Sequence, residues 1–431
     1  MPDAARKIAR VLASSSGMRL AALRAAPVAL RARLRARPAR ARIAPADVTV
    51  IVLNWNRREE TLACVESLLR ADLRGATVMV VDNGSRDGSV EAVRERFPAV
   101  RILALPQNRG FAGGNDAGMR AALDAGARAV LLLNNDTQVA PDFLSLLLLV
   151  VNERRRAAAV SSAILRADSP QVLDVAWLDI YFGHGLVHRR GVNALPGEGF
   201  DTVRTVEAGI GCCLLLTAEA LRDVGLLDEA YFAYHEEVDW CYRARRKGYQ
   251  IVYQPFSRVW HQGSRSTGAL TQQRRRARQI RGPQLANPIP LSWNPVRTYL
   301  GARNAVRFVR THGTLTKKVY YLLSSLYAVP LELLAVVMGR EEELMLGLWT
   351  YRRALGLYCL EEEGTAGESR GSIRRWARAV ARAPGRLLRA LPRDVRLAHQ
   401  DGETAQLVEH VHGLWDGLRG RPLPLERLKL R

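Results

Sequence analysis

From residue 47 the chain alternates continuous apolar runs with amphipathic stretches, the pattern of strands buried on both faces and joined by helices. Val48 to Leu53 reads as the first strand, and 59–69 as a helix with Leu62, Val65, Leu68 and Leu69 on one side. Thr77 to Val81 is a second strand that runs into Asp82-Asn83-Gly84-Ser85; the helix that follows, over 87–97, is closed by Pro98. Val100 to Ala104 is a third strand, Gly110 to Ala125 a glycine-opened helix, and Ala129 to Leu133 a fourth strand. The expected fold class is α/β, a Rossmann-like, mostly parallel sheet with flanking helices.

Past Asp136 the periodicity loosens. Helices are expected over 141–151, 218–225 and 236–248, and strands over 209–217 and 251–253. Pro255 should stop the last strand and leave Trp260-His261 on a loop. Residues 165–205 show no clear period and read as long loops near a site. Residues 264–296 are rich in Arg, Gln and Pro, a flexible connector. Val319 to Gly339 is apolar over twenty-one residues, close to the roughly 20 that span a bilayer. Pro330 and Glu332 near its middle favour a helix pair lying in the membrane interface over a packing helix or a simple span. The Arg/Ala-rich stretch 364–400 carries amphipathic spacing and is a second candidate surface anchor.

Charge sharpens this picture. The 431 residues carry a net +22, placed unevenly: from Trp240 through Leu331 there are seventeen Lys or Arg and no acid. The first 46 residues hold eleven basic residues and Asp3 as the one acid, without an uninterrupted apolar signal region. Such blocks attract anionic lipid surfaces, nucleic acid or diphosphates. The five cysteines are odd in number and lack metal spacing, which fits a reduced compartment. The expected division is a basic extension over 1–46, a catalytic domain over 47–265, and an Arg-rich connector with a helical C-terminal region over 266–431.

The candidate chemistry lies at strand ends. Leu131-Leu132-Leu133 runs straight into Asn134-Asn135-Asp136, where open α/β sheets bind ligands. Asp136 offers hard oxygens that a divalent cation could bridge to a diphosphate. Asn54-Trp55-Asn56 and Asp82-Asn83-Gly84-Ser85 end strands one and two on the same rim; taken singly, each is also what an ordinary Asx turn looks like. Gln107 to Gly118 opens a helix with four glycines, which permits either close approach of an anion or tight helix–sheet packing. Later come His235-Glu236-Glu237-Val238-Asp239-Trp240 and Trp260-His261, supplying carboxylates and an imidazole. Acids at a helix start also simply offset the helix dipole. Asp239 is expected to pair with Arg243 one turn on, Trp240 and Trp260 to pack, and His184, His188 and His235 to be structural.

These motifs stand in the order seen in family 2 glycosyltransferases, and the chain most resembles the rhamnosyltransferase-like branch over about 45–265, with a weaker echo in Arg303-Asn304 and Gly413 to Leu418. The resemblance implies a GT-A fold, a nucleotide-diphosphate sugar donor, inversion at the anomeric carbon, and a divalent metal, Mg²⁺ or Mn²⁺. It places Asn54, Asn56, Asp82, Asn83, Ser85, Asn108, Gly110, Gly113, Asn115 and Asn135 about the nucleotide-sugar, with Asp82 on the base. Asp136 and His261 would hold the metal. Asn134 stands where many relatives carry an aspartate. Glu237 stands where relatives usually carry the aspartate base, one methylene longer. The acceptor implied is a lipid-linked or cell-envelope glycan, and the expected location the cytoplasmic face of an anionic membrane.

The chemistry agrees independently: inverting transfer needs a carboxylate to take the acceptor proton and a cation to offset charge on the departing diphosphate. A sugar nucleotidyltransferase would want a glycine-rich basic signature directly after strand one, and Asn54-Trp55-Asn56-Arg57-Arg58 has no glycine. A nucleic-acid-binding protein, suggested by +22, would interleave aromatics with arginine. The aromatics lie instead in the apolar 319–360 region, so no nucleic-acid partner is expected. An inactive scaffold is the remaining alternative, raised by Glu237.

Overall fold

The computed structural model describes residues 42–183, 185–195, 198–262, 295–338, 403–426 and 428. The extension up to residue 41, His184, the connector from 263 to 294, the 364–400 segment and Cys359 lie outside these. The described residues fall into two compact units, one of residues up to Asp179 together with 189–262, the other of Ile180–His188 and the described parts of 264–428.

The first unit is built on one sheet. The strands are β1 (Val48–Asn54), β2 (Thr77–Asp82), β3 (Arg101–Ala104), β4 (Ala129–Asn134), β5 (Thr137–Val139), β6 (Ala157–Arg166), β7 (Leu173–Val175), β8 (Trp177–Ile180), β9 (Val187–Arg190), β10 (Arg204–Val206), β11 (Cys213–Thr217) and β12 (Gln250–His261). The order is β10-β12-β6-β11-β4-β1-β2-β3, with β5 on β12 and β7 on β6, while β8 pairs with β9. Helices α1 (Arg58–Arg70), α2 (Ser89–Arg96) and α3 (Gly110–Asp124) return the chain between the first four strands. β1 pairs in parallel with both β2 and β4, and β2 with β3. The apolar runs of β1 and β4 are buried on both faces, as continuous hydrophobicity requires. In register, Asn54 lies beside Asp82, and Leu53 beside Asn134, so three polar strand ends meet on one rim.

Beyond β4 the sheet is mixed. β11 is antiparallel to β4 and β6, and β12 is parallel to β6. Helices α4 (Phe143–Glu153), α5 (Ala218–Val224) and α6 (Glu236–Arg246) cover this half. Two expectations change here. β12 does not stop at Pro255: its pairing with β6 shifts register between Gln254 and Arg258, and the proline, which has no N–H to donate, sits in that irregularity. His261 is therefore a strand residue and not a loop residue. The stretch 165–205, expected as loops, contains β7 to β10. β6 had no strong pattern because Ala157-Ala158-Ala159-Val160-Ser161-Ser162-Ala163 is poor in the branched and aromatic residues that mark strands. Residues 42–46 dock on this unit: the Ile43 N–H donates to Asn152 Oδ1 at 2.8 Å and the Asn152 amide returns a bond to the Ile43 carbonyl at 3.0 Å.

In the second unit α7 (Pro295–His312) packs along α9 (Glu403–Arg419). Gly413 and Gly417, one turn apart, make this approach possible: a Cβ on Gly413 would lie 2.4 Å from the Tyr299 carbonyl, and one on Gly417 2.9 Å from that of Arg303. Tyr299 donates to Asp416 at 2.8 Å, and Arg310 caps the Gly417 and Leu418 carbonyls at 2.8 and 2.9 Å. This explains the motif echo in Arg303-Asn304 and 413–418 as a helix–helix contact. α8 (Leu315–Met338) is a single helix that continues through Pro330. No helix among the described residues is long and apolar enough to cross a membrane. Instead α8 leaves a stripe exposed, Leu315, Val319, Leu322, Leu323 and Leu326, and α9 leaves Val411, Trp415 and Leu418. The spacing in each is that of one helix face.

Candidate active site

The rim at the ends of β1 and β2 is a closed network of short polar side chains. Asn54 donates to Asp82 Oδ1 at 2.8 Å and to Ser85 Oγ at 3.1 Å, and its carbonyl accepts from Thr61 Oγ1 at 2.8 Å and Asn135 Nδ2 at 3.2 Å. Asn135 also donates to Thr61 Oγ1 at 2.9 Å. The second oxygen of Asp82 takes the Ser85 N–H at 2.9 Å, and the carboxylate is buried, 3% exposed. Asn56, held at φ 51°, donates its N–H to Ser85 Oγ at 2.9 Å and accepts from the Arg86 N–H at 2.8 Å. Asp82, Ser85 and Asn135 thus brace one another. A base reaching Asp82 would use a remaining lone pair. Thr61, on the buried side of α1, ties Asn54 to Asn135, and reading α1 as an apolar face alone overlooked it.

The glycine-rich start of α3 is shaped mainly by packing. The Asn83 amide donates to Asn108 Oδ1 at 2.9 Å and to the Gly110 carbonyl at 3.0 Å, and accepts the Arg109 N–H at 2.9 Å. Asn108 Oδ1 also takes the Gly110 N–H at 2.9 Å. Gly110 is left-handed at φ 74°, and a Cβ there would sit 2.4 Å from the Phe232 carbonyl. A Cβ on Gly113 would meet Arg109 at 2.8 Å, and one on Gly114 Leu53 at 2.5 Å. The space a side chain would need at Gly110 and Gly113 is thus filled by the protein itself, so packing alone requires glycine at both positions. Asn115 is buried and bonds the Phe111 carbonyl at 3.0 Å. On the far side of α3, Asp116 accepts the Leu227 N–H at 3.1 Å, and Arg109 forks onto Glu229 at 3.0 and 2.7 Å. These contacts fix the 225–232 loop that leads into α6.

Asp136 lies two residues past the end of β4, and β5 starts at the next residue. β5 pairs antiparallel with the end of β12, setting His261 opposite Thr137. That pairing brings the Asp136 Oδ1 to 3.2 Å from His261 Nε2, while His261 Nδ1 lies 3.2 Å from Asp174 Oδ2. Asp174 Oδ1 is 3.3 Å from Arg189. Burial alone would lower the imidazole pKa, but the two carboxylates outweigh it and raise His261 to about 9. Burial likewise works against both acids, yet His261 holds Asp136 below its ordinary value, and His261 with Arg189 brings Asp174 to about 2. Asn134 donates its N–H to the Cys212 carbonyl at 2.9 Å and accepts Thr137 Oγ1 on its own carbonyl at 2.6 Å, so its backbone holds the turn.

Glu236 and Glu237 open α6 after an unusual approach: Phe232, Tyr234 and His235 all have positive φ, at 65°, 71° and 72°. For bulky residues this conformation is costly and collects at functional sites. Glu236 is 4% exposed, and one oxygen of each carboxyl is buried without a hydrogen-bond partner. Burial raises both, and the neighbouring Glu237 charge raises Glu236 further. A Cβ on Gly211 would lie 3.6 Å from both Glu237 Cβ and the Phe111 ring, so Glu237 faces the 209–212 loop. The next residue in that loop, Cys212, is the one bonded to Asn134. Asp239, by contrast, is committed to Arg243 at 2.7 Å, and Trp240 is fully buried with its N–H on the Gly225 carbonyl at 2.8 Å. Both are structural, as expected.

Residues 45–282, more than half of the chain, match the family described as glycosyltransferase like family 2. The chain belongs to that family. The mixed sheet and its covering helices have the GT-A form the resemblance implies. Among curated relatives, the chain is 26% identical over 48% of its length to the low-salt glycan biosynthesis hexosyltransferase Agl10 of Haloferax volcanii; the match spans 64% of that protein, less than two thirds. It is 30% identical over 47% of its length to the N-acetylglucosaminyl-diphospho-decaprenol L-rhamnosyltransferase of Mycobacterium tuberculosis, spanning 71% of that protein. Among solved structures, the mannosyltransferase PcManGT from Pyrobaculum calidifontis, in complex with GDP-Man and Mn²⁺, aligns with a TM-score of 0.43 at 16% identity, over 95% of this chain and 99% of that one. A likeness of that size carries no weight for donor or metal.

For this family 2 chain, the donor set at the end of β4 fits a divalent cation in part. Asp136 and His261 converge, and the outer nitrogen of His261 is already bonded to a carboxylate, as metal-ligating histidines almost always are. Asp174 sits on the opposite ring nitrogen and does not converge with them. Among the described residues no group of three or more His, Cys, Asp or Glu is placed to hold a metal. A cation here would draw its remaining ligands from water and a bound diphosphate.

Proposed function

We propose that this chain is an inverting glycosyltransferase that moves a sugar from a nucleotide-diphosphate donor to a lipid-linked or cell-envelope glycan. The observation that carries the reading is the pairing of two features on one rim. One is a carboxyl, Glu237, with a buried unpartnered oxygen and a raised pKa. The other is the Asp136–His261 corner, joined to it through the 209–212 loop. A raised carboxyl suits a general base, since its conjugate acid holds the acceptor proton more tightly. Asp136 and His261 would hold Mg²⁺ or Mn²⁺, which when bound supplies positive charge for the departing diphosphate. The Asn54–Asp82–Ser85–Asn135 network fixes the strand-end rim against which the nucleotide lies. Glu237 takes the proton from the acceptor hydroxyl as that oxygen attacks the anomeric carbon from the face opposite the leaving group.

The Mycobacterium relative's name specifies an L-rhamnosyl donor group and a polyprenyl-diphosphate acceptor. A lipid-bound acceptor of that type would explain a basic chain with exposed apolar helix stripes, and we place the enzyme on the cytoplasmic face of an anionic membrane. Hydrolysis of a panel of nucleotide-sugars, with and without Mn²⁺, tests the donor class. Turnover of one deoxythymidine-diphosphate, uridine-diphosphate or guanosine-diphosphate sugar is expected; inertness toward all of them, with a correctly folded protein, would support the scaffold alternative.

A further inference from the structure

We propose that Asp174 is the positioning residue that sets the ring orientation and tautomer of His261 for a divalent cation shared with Asp136. This rests on the metal-dependent reading above.

Three observations point to it. Asp174 is the middle residue of β7, whose Leu173 and Val175 are buried while Asp174 faces the other way. β7 pairs with β6 through a register shift: Ile164 opposes Val175 and Leu165 opposes Leu173, so Asp174 is the extra residue. Irregularities of this kind re-aim a side chain and are frequent beside active sites. The re-aimed carboxylate crosses β6 to reach β12, where His261 lies beside Arg166. Its two oxygens are divided, Oδ2 on His261 Nδ1 at 3.2 Å and Oδ1 on Arg189 at 3.3 Å. Arg189 thus keeps the carboxylate from swinging away.

The chemical consequence concerns the two ring nitrogens. A carboxylate can only accept, so Asp174 requires the proton on Nδ1. With Nδ1 keeping its proton for Asp174, the Nε2 proton that Asp136 accepts is the one a cation would replace, and the lone pair so freed faces Asp136. That is the arrangement a cation needs from an imidazole ligand. Without Asp174 the ring could rotate about its Cβ–Cγ bond or carry its proton on Nε2, and either change removes the ligand.

Mn²⁺ binding, followed by the free-ion paramagnetic resonance signal in the presence of UDP or dTDP, tests this without any turnover. Asp174→Asn should weaken Mn²⁺ binding by about 10–100-fold, the usual effect of losing an outer partner of a ligating histidine. Asp168→Asn, an exposed carboxylate nearby that bonds Arg166, should leave it unchanged. Because Asp174 acts through His261, adding Asp174→Asn to His261→Ala should cause little further loss. If Asp174→Asn does not fold, Arg189→Gln should give a smaller loss that also vanishes in the His261→Ala background. Equal losses in both backgrounds would mean general damage and overturn the proposal, as would wild-type affinity in Asp174→Asn. A wild-type protein that binds no Mn²⁺ with either nucleotide overturns the metal reading and this proposal together.

Discussion

Asp136 and His261 stand 3.2 Å apart because β5 begins one residue after Asp136 and pairs with the last residue of β12. Two distant segments are thereby joined at one point of the sheet edge. Asp136→Ala should abolish turnover and weaken donor binding in the presence of metal. His261→Ala should be milder, since one ligand of a partly hydrated cation is replaceable. Steady-state rates with and without EDTA check this, and full activity in EDTA would remove the cation from the mechanism.

Glu237→Gln should lower turnover by at least about a hundredfold, the usual scale for a lost general base, with donor affinity nearly unchanged. The pH profile carries a sign. Glu237 acts as a base only when ionised, and burial raises it above its ordinary 4.5. Activity should therefore rise with pH along an acid limb displaced above 4.5, and that limb should be missing from the residual activity of the glutamine variant. If Glu236→Gln proves the crippling change, the two adjacent acids have exchanged roles.

The alternation of strand and helix up to Asn134 was legible because each strand is a continuous apolar run and each link carries helical spacing. The candidate ligands were legible as well, since Asp136 and His261 stand in motifs. What places them together was not. β6 is mostly alanine and serine, β12 runs past a proline, and β5 is three residues long. None has a pattern that survives without its neighbours, because their pairing is a tertiary effect. Asp174 had no signal at all: it belongs to no motif, and its role depends on one irregular register. At the start of α3 the glycine motif was visible, but the contacts with Phe232 and Leu53 that demand glycine at Gly110 and Gly114 were not, because both partners are distant in sequence.

Asp116 should make stability pH-dependent. Burial, against the bond from the Leu227 N–H, pushes its carboxyl up to about 7. Between its ordinary 3.8 and that value the folded protein holds a proton that the unfolded chain has released. Asp116 is thus least costly below 3.8, and stability is lost as pH rises through about 7. Asp116→Asn cannot ionise but can still accept the Leu227 N–H. The urea midpoint of the variant relative to wild type should climb from pH 4 to 7 and then level off. A difference that stays constant with pH would show that Asp116 is ionised throughout.

Gly110→Ala should destabilise the fold and slow catalysis together. Its left-handed backbone costs an alanine about 1–2 kcal/mol, and its Cβ would collide with the Phe232 carbonyl at 2.4 Å. Relief requires moving Phe232, which leads into Glu236 and Glu237. A lower urea midpoint with a reduced turnover number is expected; a lower midpoint with turnover intact would separate the packing of α3 from the placement of the base.

The exposed stripe Leu315, Val319, Leu322, Leu323 and Leu326 on α8 lies in a chain whose 240–331 block has no acid. Cationic residues near an anionic leaflet gain about 1 kcal/mol each, screened by salt. Apolar side chains inserted at the interface add a part that salt does not remove. The protein should sediment with anionic vesicles at low salt and release only partly at high salt. Leu322→Gln with Leu326→Gln should abolish the salt-resistant fraction and leave the salt-sensitive one, because no charge in the basic block changes. Equal binding to neutral and anionic vesicles would refute the electrostatic part. Absence of vesicle binding alongside tight, salt-sensitive DNA binding would instead favour the nucleic-acid reading of the positive charge.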